Sequence, residues 1–149
     1  MNSYQRILAV VDLSQDSRQV AARAAALAAA TAGASFTLLH VVEYMPVEPL
    51  GDSLLPSAQI EAELLQHAHT QMARFVEGFD PVPQWEVMTG HIKTAIVRAA
   101  RAGSYDLIVI GSHERHGPSI LVNLTEDTVL HAAPCDVLAV RLATAERSL

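Results

Sequence analysis

Asp12 and the segment GSHERHGPSILVN, residues 111–123, hold the side chains best suited to binding a ligand. Each follows a short apolar run, ILAVV before Asp12 and LIVI before Gly111. A carboxylate can accept hydrogen bonds from a ribose hydroxyl or a purine amine, and a glycine lets a phosphate approach backbone amides. These residue types raise the hypothesis of a nucleotide site. The alternatives are that Asp12 is a helix cap and that Gly111 only ends a strand.

Alternating strand-like and helix-like stretches must position these residues. The predicted strands are residues 6–11, 35–42, 84–89, 106–110 and 135–140. The predicted helices are residues 20–32, 57–75 and 91–102, and a short one that starts at the capping box of residues 123–126 and ends before Pro134. Ser14 or Asp16 is the expected cap of the first helix, and Gly33 its expected end.

This alternation of strands and helices predicts a parallel sheet with right-handed crossovers. We therefore expect a single doubly wound α/β domain over residues 1–149, with residues 84–89 at an edge because prolines precede them. Ligands of such sheets bind outside the carboxyl ends of the strands, where the strand order reverses. With the first and fourth strands as the central pair, Asp12 and Gly111–Ser112 would face each other across the crevice.

The composition excludes several classes of protein. The chain has 149 residues and a net charge of -6, and no run of Lys and Arg. This charge argues against a general nucleic-acid binder and against anionic membrane surfaces. A single cysteine, Cys135, allows no disulfide within the chain, and no stretch has the length of a signal-peptide core or a membrane span. We expect a cytoplasmic protein.

Other chemistry finds little support in the sequence. His113, His116 and His131 lack the spacing and the further ligands of a metal site, so no metal is expected. His40 is predicted to be a hydrogen-bonded core histidine and Cys135 a small buried side chain. No nucleophile elbow, Walker A or GxGxxG motif is present. A phosphoacceptor domain would need an acid cluster after the first strand, and a lone Asp12 stands there.

Four segments of the chain resemble the universal stress protein family. They are RILAVVDLSQDS, TLLHVVE, GHIKTAIVRAARAGSYDLIVIGSHE and VLHAAPCDVLAV, and they extend over nearly the whole length. The resemblance implies a five-stranded sheet in the order 3-2-1-4-5 and a homodimer formed through the fifth strand. It leaves ATP binding open, because one branch of the family binds ATP and another does not.

The ATP-binding branch carries the pattern G-x-x-G, nine residues, then Gly and Ser or Thr. The resemblance places Val11, Asp12 and Val41 around the base and ribose. It places Ile110, Gly111, Ser112 and His113 on the phosphate side, and Asn123 and Thr125 at the far end of the loop. The chain departs from the pattern at Glu114 and Leu124. A side chain and a negative charge at Glu114 disfavour a triphosphate, although the helix that follows offers free amides.

These observations favour a non-catalytic regulatory dimer of the stress response, acting through protein partners that the sequence does not name. The alternative is a nucleotide-dependent switch with ATP, and Mg²⁺ with it, as the cofactor. An enzyme, either a slow ATPase or an autophosphorylating protein, is the third hypothesis, because no positioned general base or metal ligand beyond Asp12 is visible.

Overall fold

Five parallel strands form one sheet in the order β3-β2-β1-β4-β5. The computed structural model describes residues 3–44, 57–113, 129 and 131–142. Its strands are β1 (Arg6–Val10), β2 (Ser35–Val42), β3 (Gln84–Thr89), β4 (Leu107–His113) and β5 (Asp136–Leu142). Its helices are α1 (Arg18–Ala29), α2 (Ser57–Phe75) and α3 (Ile92–Ala102), and Val129, His131 and Ala132 are also helical. The expected doubly wound α/β fold is confirmed, including the strand order.

Alternation along the central strands builds one core on each face of the sheet. In and just after β1, Ile7, Ala9 and Val11 pack on the α1 and α2 side, whereas Leu8 and Val10 pack on the α3 side. A strand covered by helices on both faces has no polar face, which is why the run reads as continuously apolar. The crossover helices therefore leave only the ends of the central strands open to a ligand.

Two of the helices, α1 and α3, pack mainly through small side chains. α1 buries Val20, Ala21, Ala24 and Ala28, and Ala combines high helix propensity with a close approach to the sheet. α3 buries Ala95, Ile96, Ala99 and Ala100 in the same way. None of the helices in the described part of the chain is long and apolar enough to cross a membrane.

The predicted limits of β4 and β5 are wrong. β4 continues through Gly111 to His113, three residues beyond the predicted end, because each of these residues is paired with a residue of β5. Glycine weakens a strand on its own, but the ladder to β5 holds this one in place. β5 itself runs two residues further than predicted, to Leu142, and begins after Cys135.

The start and end of α1 also differ from the expectation. Its N-cap is Ser17, whose side chain makes no capping hydrogen bond, rather than Ser14 or Asp16. The helix ends at Ala29 with Ala30 as the cap, so Gly33, at φ +82°, belongs to the turn before β2. The capping box at Asn123 and Glu126 lies outside the described residues.

Candidate functional site

The crevice expected from the sequence lies where β1 and β4 meet. β1 pairs with β4 on one side, with Ala9 beside Val109, and with β2 on the other. The strand order reverses here, since the chain proceeds outward from β1 to β2 and β3 before crossing back to β4. Asp12 follows β1, and Gly111 and Ser112 lie in the last part of β4, so all three occur at the carboxyl edge of the sheet.

Asp12 directs its carboxylate into the turn that leads to α1. Its Oδ1 accepts hydrogen bonds from the backbone N–H of Ser14 at 2.9 Å and from the Ser14 hydroxyl at 2.5 Å. The Ser14 Oγ accepts in turn from the N–H of Ser17 at 3.3 Å, and Leu13 between them has a positive φ of 67°. A ribose hydroxyl that used this oxygen would compete with Ser14. The Asp-x-Ser spacing is the signal in the sequence that could have revealed this turn.

Val11, Val41 and Ile110 contribute their side chains to the core rather than to the crevice. Val11 is 2% exposed and belongs to the cluster on the α1 and α2 side, whereas Val41 and Ile110 are each 6% exposed and belong to the cluster on the α3 side. Any contact that these three residues make with a ligand must therefore come mainly from their backbone atoms.

The backbone of Val11 is itself engaged by β2. Its N–H donates to the carbonyl of Leu39 at 2.9 Å, and its carbonyl accepts from Nδ1 of His40 at 2.9 Å. Because a carbonyl can only accept, the Nδ1 of His40 carries a proton. The histidine is hydrogen-bonded as predicted from the sequence, but it is half-buried and not part of the core, and its role in fixing the peptide before Asp12 was not foreseen.

Gly111 is explained by packing. A Cβ placed on it would lie 2.7 Å from Cδ1 of Leu142 and 3.2 Å from Cγ2 of Val20. The first distance is shorter than side-chain carbons tolerate, and Leu142 is only 2% exposed, so little space is free for it to move. A Cβ here would have to displace the end of the Leu142 side chain, so packing favours glycine with or without a ligand.

The phosphate side of the expected site is described as far as His113. Ser112 is half-buried and is paired with Arg141, and the backbone of His113 is paired with Leu142. Asn123 and Thr125, together with the departures from the pattern at Glu114 and Leu124, lie outside the described residues. The structure therefore brings together Asp12, Gly111 and Ser112 at one edge and does not extend to the far end of the loop.

Two observations concern reactive groups elsewhere in the described chain. Burial, with smaller contributions from Asp106 and Asp136, raises the pKa of the Cys135 thiol. A raised pKa keeps the thiol protonated at neutral pH and lowers its reactivity. Among the described residues, no group of three or more His, Cys, Asp or Glu side chains could hold a metal ion.

The fold and crevice define a Rossmann-like α/β protein, and comparison with known proteins identifies the family. The universal stress protein family model matches residues 3–141. Universal stress protein A homolog 1 of Coxiella burnetii is 35% identical over 142 residues, covering 92% of this chain and 96% of the relative. The chain therefore belongs to the universal stress protein family.

Solved structures show the same fold. Universal stress protein UspA from Lactobacillus plantarum superposes with a TM-score of 0.72 at 26% identity, and the match covers 95% of this chain and 100% of that one. A universal stress protein in complex with cAMP superposes with a TM-score of 0.62 at 20% identity, again covering 95% of this chain and 100% of that one.

Proposed function

We propose that this chain is a cytoplasmic, non-catalytic universal stress protein that acts in the stress response as a dimer through protein partners, with a nucleotide loop that no longer binds ATP. The observation that carries the proposal is the pair of departures at Glu114 and Leu124. They replace two glycines of the ATP-binding pattern, because nine residues (115–123) separate Glu114 from Leu124, and Thr125 keeps the hydroxyl that follows. A phosphate cradle depends on backbone amides that can turn toward the anion.

Asp12 and Gly111, which the chain keeps at the crevice, each have a role in the fold. The Asp12 carboxylate accepts two hydrogen bonds from Ser14, and the packing of Leu142 and Val20 favours glycine at position 111. The presence of these two residues is therefore weak support for ATP binding. The same hydrogen bonds engage the one carboxylate that a catalytic mechanism at this crevice was expected to use as a base.

A nucleotide-dependent switch is the second candidate. The loop keeps hydroxyl, amide and imidazole groups at Ser112, His113, Asn123 and Thr125, and such groups can donate to a phosphate. One structural relative, at 20% identity, was solved in complex with cAMP. This candidate predicts a ligand in the crevice, whereas the first predicts none.

Isothermal titration calorimetry with ATP and Mg²⁺, and separately with cAMP, distinguishes the two candidates. We expect no saturable heat from ATP up to millimolar concentration, which corresponds to a binding free energy weaker than about -4 kcal/mol. A dissociation constant in the low micromolar range that is weakened by Asp12→Ala would overturn the first candidate. Circular dichroism of the variant checks that it is folded.

A further inference from the structure

The outer face of α3 is strongly basic. The helix carries Lys93, Arg98 and Arg101 and contains no acidic residue, in a chain whose net charge is -6. All three side chains are exposed, and none forms a hydrogen bond or ion pair with another described residue. The linear sequence does not reveal this cluster, because the three residues are separated by four and by two others and come together only on the helix surface.

A groove runs along this face. It has a volume of about 570 Å³ and is lined by α3 and by Ala132 of the helical segment before β5. Lys93, Val97 and Arg101 follow one another at intervals of four residues on α3, and Thr94, Arg98 and Ala102 form the adjacent row. The lining also includes the apolar side chains of Val97, Ala102 and Ala132, and we call these three the floor and the cationic side chains the rim. None of the described residues that line the groove is acidic.

We propose that this groove, the α3 groove, binds an acidic amphipathic helix of a partner protein. Rows of side chains at intervals of four residues form the ridges and channels into which a second helix packs. The positive charges of Lys93 and Arg101 stand eight residues apart, about 12 Å along the helix axis. A partner with apolar residues on one face and acidic residues about two turns apart would match both the floor and the rim.

The charge pattern favours an acidic peptide over a nucleic acid. Nucleic-acid affinity depends on many phosphate contacts, whereas the α3 groove offers three cations on a molecule that is otherwise acidic. Its apolar floor would have no counterpart on a phosphate backbone, but it would be buried by the apolar face of a helix. The α3 groove is the site at which the protein partner of the proposed function would bind. It does not depend on the nucleotide crevice, so either proposal can fail without the other.

The test is a selection from a random library of 16-residue peptides displayed on phage, with the intact protein as bait. Recovered peptides are synthesised and their affinities measured by fluorescence anisotropy for wild type, Arg98→Glu/Arg101→Glu and Arg23→Glu/Arg74→Glu. The last variant is the matched control, because it makes the same change in net charge at two exposed arginines outside the groove. Circular dichroism confirms that all proteins are folded.

We expect the recovered peptides to be rich in Glu and Asp with apolar residues at helical spacing. Their affinity should fall by about tenfold or more in Arg98→Glu/Arg101→Glu and change by less than about twofold in the control. Val97→Asn should also lower the affinity of these peptides, since it places an amide in the apolar floor. Peptides without acidic enrichment, or equal binding to both double variants, would overturn the proposal. Single-stranded DNA binding that depends on Arg98 and Arg101 but not on Val97 would also overturn it and indicate a polyanion site.

Discussion

Gly111 illustrates how a residue can match a functional pattern for a structural reason. It occupies the first glycine position of the family's phosphate loop, yet it lies inside β4, paired with Val140. The side chains of Leu142 and Val20 occupy the space that a Cβ would need. The close packing of these side chains against β4 therefore favours glycine at this position without any ligand.

Gly111→Ala should destabilise the fold in the absence of any ligand. We expect a loss of about 1–3 kcal/mol in the free energy of unfolding, the usual cost of adding a methyl group to a filled core. Urea denaturation followed by circular dichroism measures it. In a Leu142→Ala background the same substitution should cost less, because the atom nearest the new Cβ is gone. Equal costs in both backgrounds would contradict the packing explanation.

The sequence was sufficient to locate Asp12 and Gly111 but not to explain them. Each follows an apolar run, and this pattern correctly placed both at the carboxyl edge of the sheet. Gly111 meets Leu142, which is 31 positions further along the chain by subtraction of the two residue numbers. Local propensity contains no information about such a contact, so the sequence suggested a phosphate role or a strand end for Gly111 and not a packing role.

At the scale of elements, the start of β1 is joined to the turn between α3 and β4. The Asp106 carboxylate accepts from the N–H groups of Gln5 at 2.8 Å and Arg6 at 3.1 Å. Arg6 Nε donates to the carbonyl of Gly103 at 2.7 Å, and its guanidinium lies 5.1 Å from the centre of the Tyr105 ring. These contacts fix the two central strands relative to each other at the end opposite the crevice.

Removal of the Asp106 carboxylate should weaken this junction. We expect Asp106→Ala to lower the free energy of unfolding by about 1–2 kcal/mol, since two backbone N–H groups lose their acceptor in a partly exposed position. Asp106→Asn should cost about half as much, because the amide keeps one acceptor oxygen. Thermal and urea denaturation measure both variants. If the denaturation midpoint of Asp106→Ala equals that of wild type, the prediction is contradicted and water replaces the carboxylate at no cost.

Tyr4 predicts a small pH dependence in the same region. Its hydroxyl donates to Asp136 at 2.8 Å, and this hydrogen bond is the main reason that the pKa of Tyr4 rises above its usual 10.0. A raised pKa in the folded state stabilises the fold fully below pH 10 and loses this contribution as the pH passes the folded-state value. The free energy of unfolding should be measured for wild type and Tyr4→Phe between pH 9 and 11. This contribution should be lost with rising pH in wild type alone. Parallel pH profiles would contradict this assignment.

The strands differ in how well the sequence predicted their limits. Residues 35–42 and 84–89 agree with β2 and β3 at both ends, since proline and glycine flank them or lie close by. The end of β4 was missed because Gly111 resembles a stop signal, while its pairing with β5 is a long-range contact. The N-cap of α1 was not predicted correctly, because Asp12, Ser14 and Ser17 form a continuous turn.

On the scale of the whole molecule, β5 is an edge strand with apolar residues. It pairs with β4 on one side, and Val137 and Leu138 are only partly buried. An edge of this kind presents unpaired backbone groups that favour association with another strand. The dimer in our proposed function would cover it with the β5 strand of a second copy.

Ala139→Asp should shift the chain toward the monomer. Ala139 is exposed in β5, and a symmetric pairing of two β5 strands would bring two new negative charges close to each other. Sedimentation equilibrium should give a dimer for wild type at micromolar concentration and a weaker one for the variant. Ala22→Asp, at an exposed position on α1, adds the same charge away from the edge and should remain dimeric. A monomeric wild type would contradict the dimer itself.

The most direct test of the loss of ATP binding is the nucleotide content of the freshly purified protein. The protein is denatured, and the released ATP, ADP and cyclic nucleotides are separated by ion-exchange chromatography and quantified against protein concentration. Because Asp12 and Gly111 have roles in the fold and the loop departs from the pattern at Glu114 and Leu124, we predict far less than one nucleotide per chain. Release of ATP or ADP in a near-equimolar amount would show that the loop still binds phosphates. This result would contradict the proposal that the loop no longer binds ATP.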